Sequence, residues 1–261
     1  MSKAFRFGVV AADVSSRAAW IKAAQQAEDS GYSTFLLPDR MSAGIPALFP
    51  ALAIVTAVTT SLRVSSYVCC NEYRHPIVLA REVATLDLLS DGRFELGLGA
   101  GVGPMDFQQM GLPFPDAGTR VGHVEETLQL LKQFFSEDTV NFQGRYYTIT
   151  NLSTAPRPVQ QPHPPLLVAG SGERMLKIAA READSIAIGM KIGKHGVDPS
   201  DAPLEQKIAW IKEEAGERFD SLELSQTIYD IQVTDSPADL LPQTTGWSIP
   251  KRPLTTSQTV E

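Results

Sequence analysis

Cysteine, histidine and long apolar runs are all scarce in this sequence, and each shortage removes a class of function. Only two cysteines occur among 261 residues, and they are neighbours, Cys69 and Cys70. Neither a disulfide framework nor a C-x-x-C metal or redox pair can be built from them. The four histidines, His75, His123, His163 and His195, are scattered without metal-ligand spacing, so no metal centre is expected. No window approaches the ~18 uninterrupted apolar residues of a membrane span, and the first seven residues, Met1-Ser2-Lys3-Ala4-Phe5-Arg6-Phe7, lack a signal peptide's apolar stretch. A basic excess is missing too: 23 Lys and Arg against 30 Asp and Glu give a net charge of −7. That balance argues against nucleic acid or an anionic membrane surface as partner. The expectation is a cytoplasmic protein acting on a small-molecule substrate.

What is present is an ordinary globular composition, 43% hydrophobic and 20% charged, at a length close to the ~250 residues of a (β/α)8 barrel. Short apolar runs bounded by Gly, Pro or Asp alternate with segments of helical period, the pattern of βα units around a parallel sheet. The expected strands are Phe5–Ala11, Thr34–Asp39, Arg63–Cys70, Phe94–Gly101, Pro165–Gly170, Ser185–Met190 and roughly Ser225–Thr234. Ser15–Gly31 and Thr119–Phe135 read as amphipathic helices, each with one apolar face toward a core. The fourth strand-to-strand step is about 71 residues, against about 30 for the first three, so it holds an insertion. It comprises a loop, Val102–Gly118, the second helix, and a hairpin turning at Gln143-Gly144-Arg145. The fold class is therefore α/β, a TIM-type barrel that is incomplete at its C-terminus, with seven readable strands. Residues 1–234 form the barrel domain, and 235–261, with four prolines and no apolar period, an irregular tail. Either the chain is a truncated form whose continuation begins a final helix, or the open edge is covered by that tail or by a second subunit, as in a homodimer.

Common fingerprints fail. Gly97-x-Gly99 meets Val102 where a dinucleotide loop needs Gly or Ala, and Gly193-Lys194 lacks both the first glycine and the hydroxyl residue of a phosphate loop. Gly170-Ser171-Gly172 is not a nucleophile elbow, since no glycine lies two residues before the serine. Other positions are more informative. Gly97, Gly99, Gly101 and Gly103 alternate, so within a strand they share one face and leave a shelf bare of side chains on which a flat ring could rest; relief of crowding in the barrel is the plainer reading. Gly170-Ser171-Gly172 opens a helix, where backbone N–H groups and the dipole suit a phosphate, although Glu173 brings a competing charge. Asp39-Arg40 ends strand two and Asn71 through Pro76 follows strand three, on the face where barrels build active sites. Each also has a plain structural reading: Asp39 pairing with Arg40 or capping a turn, His75-Pro76 joining loop to helix.

The set of segments resembles the luciferase-like flavin and deazaflavin oxidoreductases. The matching pieces are Gly31-Tyr32 through Leu37-Pro38-Asp39, Arg74-His75-Pro76 with Glu82, Leu86-Asp87-x-Leu89-Ser90-x-Gly92-Arg93, Glu95 through Gly101, Gly144-x-x-Tyr147, and Ala169 through Gly172 with Ala179-Ala180-x-x-Ala183-Asp184. The resemblance implies a barrel whose mouth binds coenzyme F-420 or, alternatively, FMN, with wording nearest the F-420-dependent branch. It implies a non-prolyl cis peptide within Ser66-Tyr67-Val68 that backs the ring, with Cys70 and Asn71 at the ring's edge. Gly99, Ala100 and Gly101 join the cofactor site, and Gly170, Ser171 and Gly172 hold the phosphate. Two departures stand out: Arg40 replaces the histidine that some members use catalytically, and Ala100 replaces a phosphate-binding arginine. The expected function is hydride transfer between F-420 and an organic substrate, with Asp39, Arg40, Asn71 and His75 as the polar groups nearest the chemistry. An FMN-dependent luciferase-like monooxygenase and a non-catalytic flavin-binding barrel are the alternatives. A barrel lyase would need a Lys or paired carboxylates at strand ends, which this sequence lacks.

Overall fold

The structure, a computed structural model, describes residues 5–11, 14–41, 44–193 and 196–228. Strand and helix alternate from the start: β1 (Gly8–Val10), α1 (Arg17–Asp29), β2 (Thr34–Leu37), α2 (Leu48–Val58), β3 (Arg63–Ser66), β4 (Cys69–Cys70), α3 (Pro76–Leu89) and β5 (Phe94–Gly99). Then come α4 (Pro104–Met110), α5 (Ala117–Ser136), the hairpin β6 (Thr139–Gln143) and β7 (Thr148–Ser153), β8 (Leu166–Gly170), α6 (Glu173–Glu182) and β9 (Ser185–Ile188). A short antiparallel pair, β10 (Ile192–Gly193) and β11 (Gly196–Val197), precedes α7 (Leu204–Ala215) and β12 (Glu223–Ser225).

The main sheet is parallel, in the order β1-β2-β3-β5-β8-β9-β12, with β4 continuing β3 along β5. Laid flat, β1 and β12 would be six strand spacings apart, roughly 29 Å at ~4.8 Å each. Yet Arg6, just before β1, donates to Glu95 of β5 at 2.9 Å and to Glu223 of β12 at 3.0 Å. Higher up, the Tyr67 hydroxyl reaches Thr227 Oγ1 at 2.9 Å. The sheet is therefore curled into a barrel whose first and last strands face each other across an unpaired seam, among the described residues.

Local sequence explains the layers. Ser16 caps α1, its Oγ accepting from Ala19 N at 3.1 Å, and Trp20, Ala24 and Ala27 recur at helical spacing as its buried face. Trp20 stands edge-on to Phe35 of β2. In β5 the outward Phe94, Leu96 and Leu98 are buried against helices, while Glu95, Gly97 and Gly99 face the barrel axis. Glu95 is held there by both Arg6 and Arg63, which fills the floor of the barrel with a paired charge.

Several expected boundaries move. Strand three splits at Tyr67-Val68 into β3 and β4, and the last strand is earlier and shorter, at Glu223–Ser225; residues 229–234 and the tail 235–261 lie outside the described residues. The loop Val102–Gly118 contains α4, only seven residues long but marked by Pro104 in its first turn and by Gly111, at φ +67°, after its end. A short helix of this kind shows little periodicity, so the terminal residues were its only signal.

Glu28, in the last turn of α1, closes the turn before β3. Its carboxylate accepts the backbone N–H groups of Thr60, Ser61 and Leu62 at 2.9, 2.6 and 2.9 Å. Desolvation pushes its pKa up, but the N–H groups of Ser61, Leu62 and Thr60 outweigh that and bring it from 4.5 down to about 2. A depressed carboxylate stabilises the fold above its unfolded pKa and stops doing so as pH falls through the folded one. Urea titrations should therefore find Glu28→Gln about 1 kcal/mol less stable at pH 7, with a shallower loss of stability than the parent between pH ~4.5 and ~2.

Candidate functional site

The C-terminal ends of the barrel strands gather the residues singled out above. Their centre is strand three, where the peptide bond between Tyr67 and Val68 is cis, within the expected Ser66-Tyr67-Val68 segment. The interrupted strand swings toward the barrel axis and is received by the glycines of strand four. A Cβ on Gly97 would lie 2.1 Å from Ser66 O, one on Gly99 2.8 Å from Val68 Cγ2, and one on Gly101 3.2 Å from Cys70 Sγ. Ser66 Oγ also accepts from Gly97 N and donates to Gly97 O, both at 2.8 Å. This corrects the shelf reading: the bare face of the glycines is filled by strand three itself. Gly103 takes no part, with nothing within 4 Å of its missing Cβ.

Asp39 lies at the end of β2, buried, and both its oxygens are engaged. Oδ2 accepts from Arg74 Nη1 at 2.6 Å and from Cys70 N at 3.1 Å, while Arg74 Nη2 approaches Oδ1 at 3.4 Å. The partner is thus Arg74, not Arg40, and the carboxylate fixes where strand three resumes after the bulge. Arg74 also contacts Cys69 Sγ at 2.8 Å and Glu82 at 3.4 Å. Burial raises both thiols, Cys70 to about 11, so neither cysteine is a ready thiolate.

Arg40 turns instead to Asp106, a residue the sequence reading passed over because its helix, α4, was hidden. Arg40 Nε donates to Asp106 Oδ2 at 2.6 Å, and this pairing keeps the buried carboxylate below its ordinary pKa. Tyr73 and Phe107 stack beside it, with ring centres 5.4 Å apart, and Phe114 adds a third ring. Phe107 is fully buried and packs behind Tyr73 and Phe114.

Asn71 is buried at the end of strand three. Its Nδ2 approaches Glu72 Oε1 at 3.4 Å, but Oδ1 meets no donor. Glu72 in turn holds His123 Nδ1 at 3.0 Å, and His123 packs edge-on against Tyr146 from the hairpin turn. The Tyr147 phenol is raised by burial, with the Asn71 and Thr127 side chains against it; Thr127 Oγ1 is a second buried atom without a partner. None of Glu72, His123, Thr127 or Tyr147 carried a sequence signal for this grouping, since three separate segments supply them. His75 has its structural role: Nδ1 accepts from Ile77 N at 3.2 Å and caps α3.

Gly170-Ser171-Gly172 leads into α6, whose N-cap, Gly172, provides no side-chain cap. Gly170 is required by closeness, since its Cβ would lie 2.5 Å from Met175 Cγ. The competing charge of Glu173 is paired with Lys177 at 2.9 Å. Nearby, Arg174 Nη1 donates to Gly118 O at 2.9 Å. Arg120 donates through Nε to Ala100 O at 2.9 Å and lies over the Phe114 ring. An arginine from α5 therefore stands at the end of strand four, where the chain itself has Ala100. Between β9 and β12 a cavity of about 290 Å³ opens, lined by Ile188, Met190, Asp201, Leu204, Lys207 and Gln226. The buried Lys207 there is already committed to Asp201 and Gly189 O.

Comparison with known proteins agrees with this geometry. The family described as luciferase-like monooxygenase matches residues 5–228. An uncharacterised protein of Mycobacterium tuberculosis is 31% identical over 222 residues, covering 76% of this chain and 72% of that protein. An F-420-dependent glucose-6-phosphate dehydrogenase of Kineococcus radiotolerans is 32% identical, over 62% of this chain and 49% of its own. An FMNH2-dependent dimethylsulfone monooxygenase of Pseudomonas putida is 28% identical, over 68% and 51%. Among solved structures, the coenzyme F-420-dependent tetrahydromethanopterin reductase of Methanopyrus kandleri superposes with a TM-score of 0.72 at 22% identity, covering 85% of this chain and 65% of that one. The chain thus spans about half the length of the two relatives with assigned activities. Among the described residues no helix is long and apolar enough to cross a membrane.

Proposed function

The chain belongs to the luciferase-like monooxygenase family, and from that premise we propose that it is an oxidoreductase moving a hydride between coenzyme F-420 and a small organic substrate at the barrel mouth. The observation that carries this reading is the inward strand three. Barrel interiors are normally filled by layers of bulky side chains, whereas here strand three, through the Ser66 carbonyl and the Val68 side chain, is seated in the glycines of strand four. A segment brought inward in this way offers a surface that a flat ring can approach closely.

The residues fit such a group. Asn71 Oδ1 is buried without a partner, and a buried acceptor without a donor costs about 1–3 kcal/mol until something supplies one. The N–H of a flavin or deazaflavin pyrimidine is a donor of that kind. Ser66, Tyr67 and Val68 would back the ring, with Cys70, Asn71 and the Gly99-Ala100-Gly101 stretch beside it. The uncapped start of α6 at Gly170-Ser171-Gly172 would take the phosphate. When bound, the deazaflavin supplies or accepts the hydride.

In this reading Asp39 is a positioning residue, fixing the Cys70 N–H through its pair with Arg74, and His75 fixes the start of α3. Asn71 and Arg40 retain unspent hydrogen-bonding capacity, so they are the polar groups that meet ligands. The remaining work is orientation.

An FMN-dependent monooxygenase is the second reading, favoured by Arg120. No carboxylate pairs with it among the described residues, so it offers the phosphate a charge that Ala100 does not. Fluorescence titration of the purified protein decides: F-420 should bind at least about tenfold tighter than FMN or reduced FMN. The reverse order makes the chain FMN-dependent, and the absence of binding by either would end both readings.

A further inference from the structure

Arg40 is a guanidinium pinned at one edge and open at the other. Its Nε is held by Asp106 Oδ2 at 2.6 Å, and that oxygen is steadied by the Tyr73 hydroxyl at 3.2 Å and Met41 N at 3.4 Å. Nη1 and Nη2 meet no acceptor among the described residues, and the side chain is 38% exposed. The other arginines near the mouth differ: Arg74 gives both terminal nitrogens to Asp39, and Arg120 gives Nε to Ala100 O and Nη1 to Pro115 O.

An anchored stem has already lost most of its rotamer freedom, so the free end binds without that cost. Two parallel N–H donors in one plane match the two oxygens of a carboxylate. The surroundings permit a negative charge. Asp39 is paired with Arg74 and Asp106 with Arg40 itself, while the Glu72 carboxylate is hydrogen-bonded to His123. Met41 and Met105, chain neighbours of the paired Arg40 and Asp106, are exposed, as is Val102.

Resting on the reading of the mouth as the ligand site, we propose that Arg40 sets substrate class, holding the carboxylate of an organic molecule whose apolar body lies along Met41, Val102 and Met105. Hydrogen bonds to charged groups are strong enough for about a tenfold preference or more.

The test is calorimetric titration of the full chain with octanoate and with octanamide, its neutral counterpart, each in the presence and absence of F-420. The parent should bind octanoate at least tenfold tighter than octanamide. Arg40→Gln should lose that preference; it also takes the partner from the buried Asp106, so a lower unfolding midpoint is expected, and circular dichroism at the titration temperature checks that the variant is folded. Equal binding of the two probes, no binding of either, or an unchanged preference in Arg40→Gln overturns the proposal. Arg40→Lys keeps the charge without the fork, and full octanoate affinity in that variant overturns the bidentate mode. Cofactor titration is read separately, so octanoate preference without F-420 or FMN binding would sink the cofactor reading and leave this one standing.

Discussion

Replacing Gly97 by alanine should lower the thermal midpoint by roughly 6–12 °C, a loss of about 3 kcal/mol at ~2–4 °C per kcal/mol for a chain of this size. The new Cβ would lie 2.1 Å from the Ser66 carbonyl oxygen and 3.0 Å from Val68 Cγ1. Flexible side chains can give way, but Ser66 O is backbone, held by the mutual hydrogen bonds between its own hydroxyl and Gly97. Strand three must then back out of the barrel axis, and F-420 affinity should fall with it. Gly103→Ala is the control. That glycine has extended backbone, at φ −173°, with open space around it, so the change should stay within about 0.5 kcal/mol. A Gly97→Ala protein melting within 2 °C of its parent would contradict this account of the glycines.

Asp39→Ala should cost about 3–5 kcal/mol, the usual result of removing one member of a buried ion pair. Arg74 would keep Glu82, at 3.4 Å, and Cys69 Sγ, at 2.8 Å, and the Cys70 N–H would lose its acceptor inside the core. Combining Asp39→Ala with Arg74→Met should restore part of the loss, because the uncompensated charge disappears with the arginine. Urea denaturation of the two single variants and the double one measures the coupling. If Asp39→Ala costs less than 1 kcal/mol, the carboxylate does not fix strand three in the way its distances imply.

Much of the fold could be read from the sequence because barrel strands are short apolar runs at regular spacing, and that pattern survives without any tertiary information. The seven strands and the insertion after the fourth are legible for this reason. Boundaries were less so where backbone geometry overrides pattern: Arg63–Cys70 reads as one strand, although its middle bulges. The candidate site was legible where close packing of the backbone needs an unusual local sequence, as in the alternating glycines. Even there the purpose of the glycines could be misread, since sequence shows that a side chain is missing but not what takes its place. Pairings between distant segments left no trace. Arg40 with Asp106, Asp39 with Arg74, and Glu72 with His123 each join residues that have ordinary surroundings in the chain, and only the curl of the sheet makes them neighbours.

The floor of the barrel, sealed where Glu95 meets Arg6 and Arg63, bears on the order of traffic in the proposed function. A cofactor and a substrate that both came in by the mouth would have to queue. Whichever lies against strand three enters first and departs last, and the one held at the rim exchanges freely above it. Steady-state kinetics would then be sequential and ordered, with excess rim ligand trapping the deeper one in place.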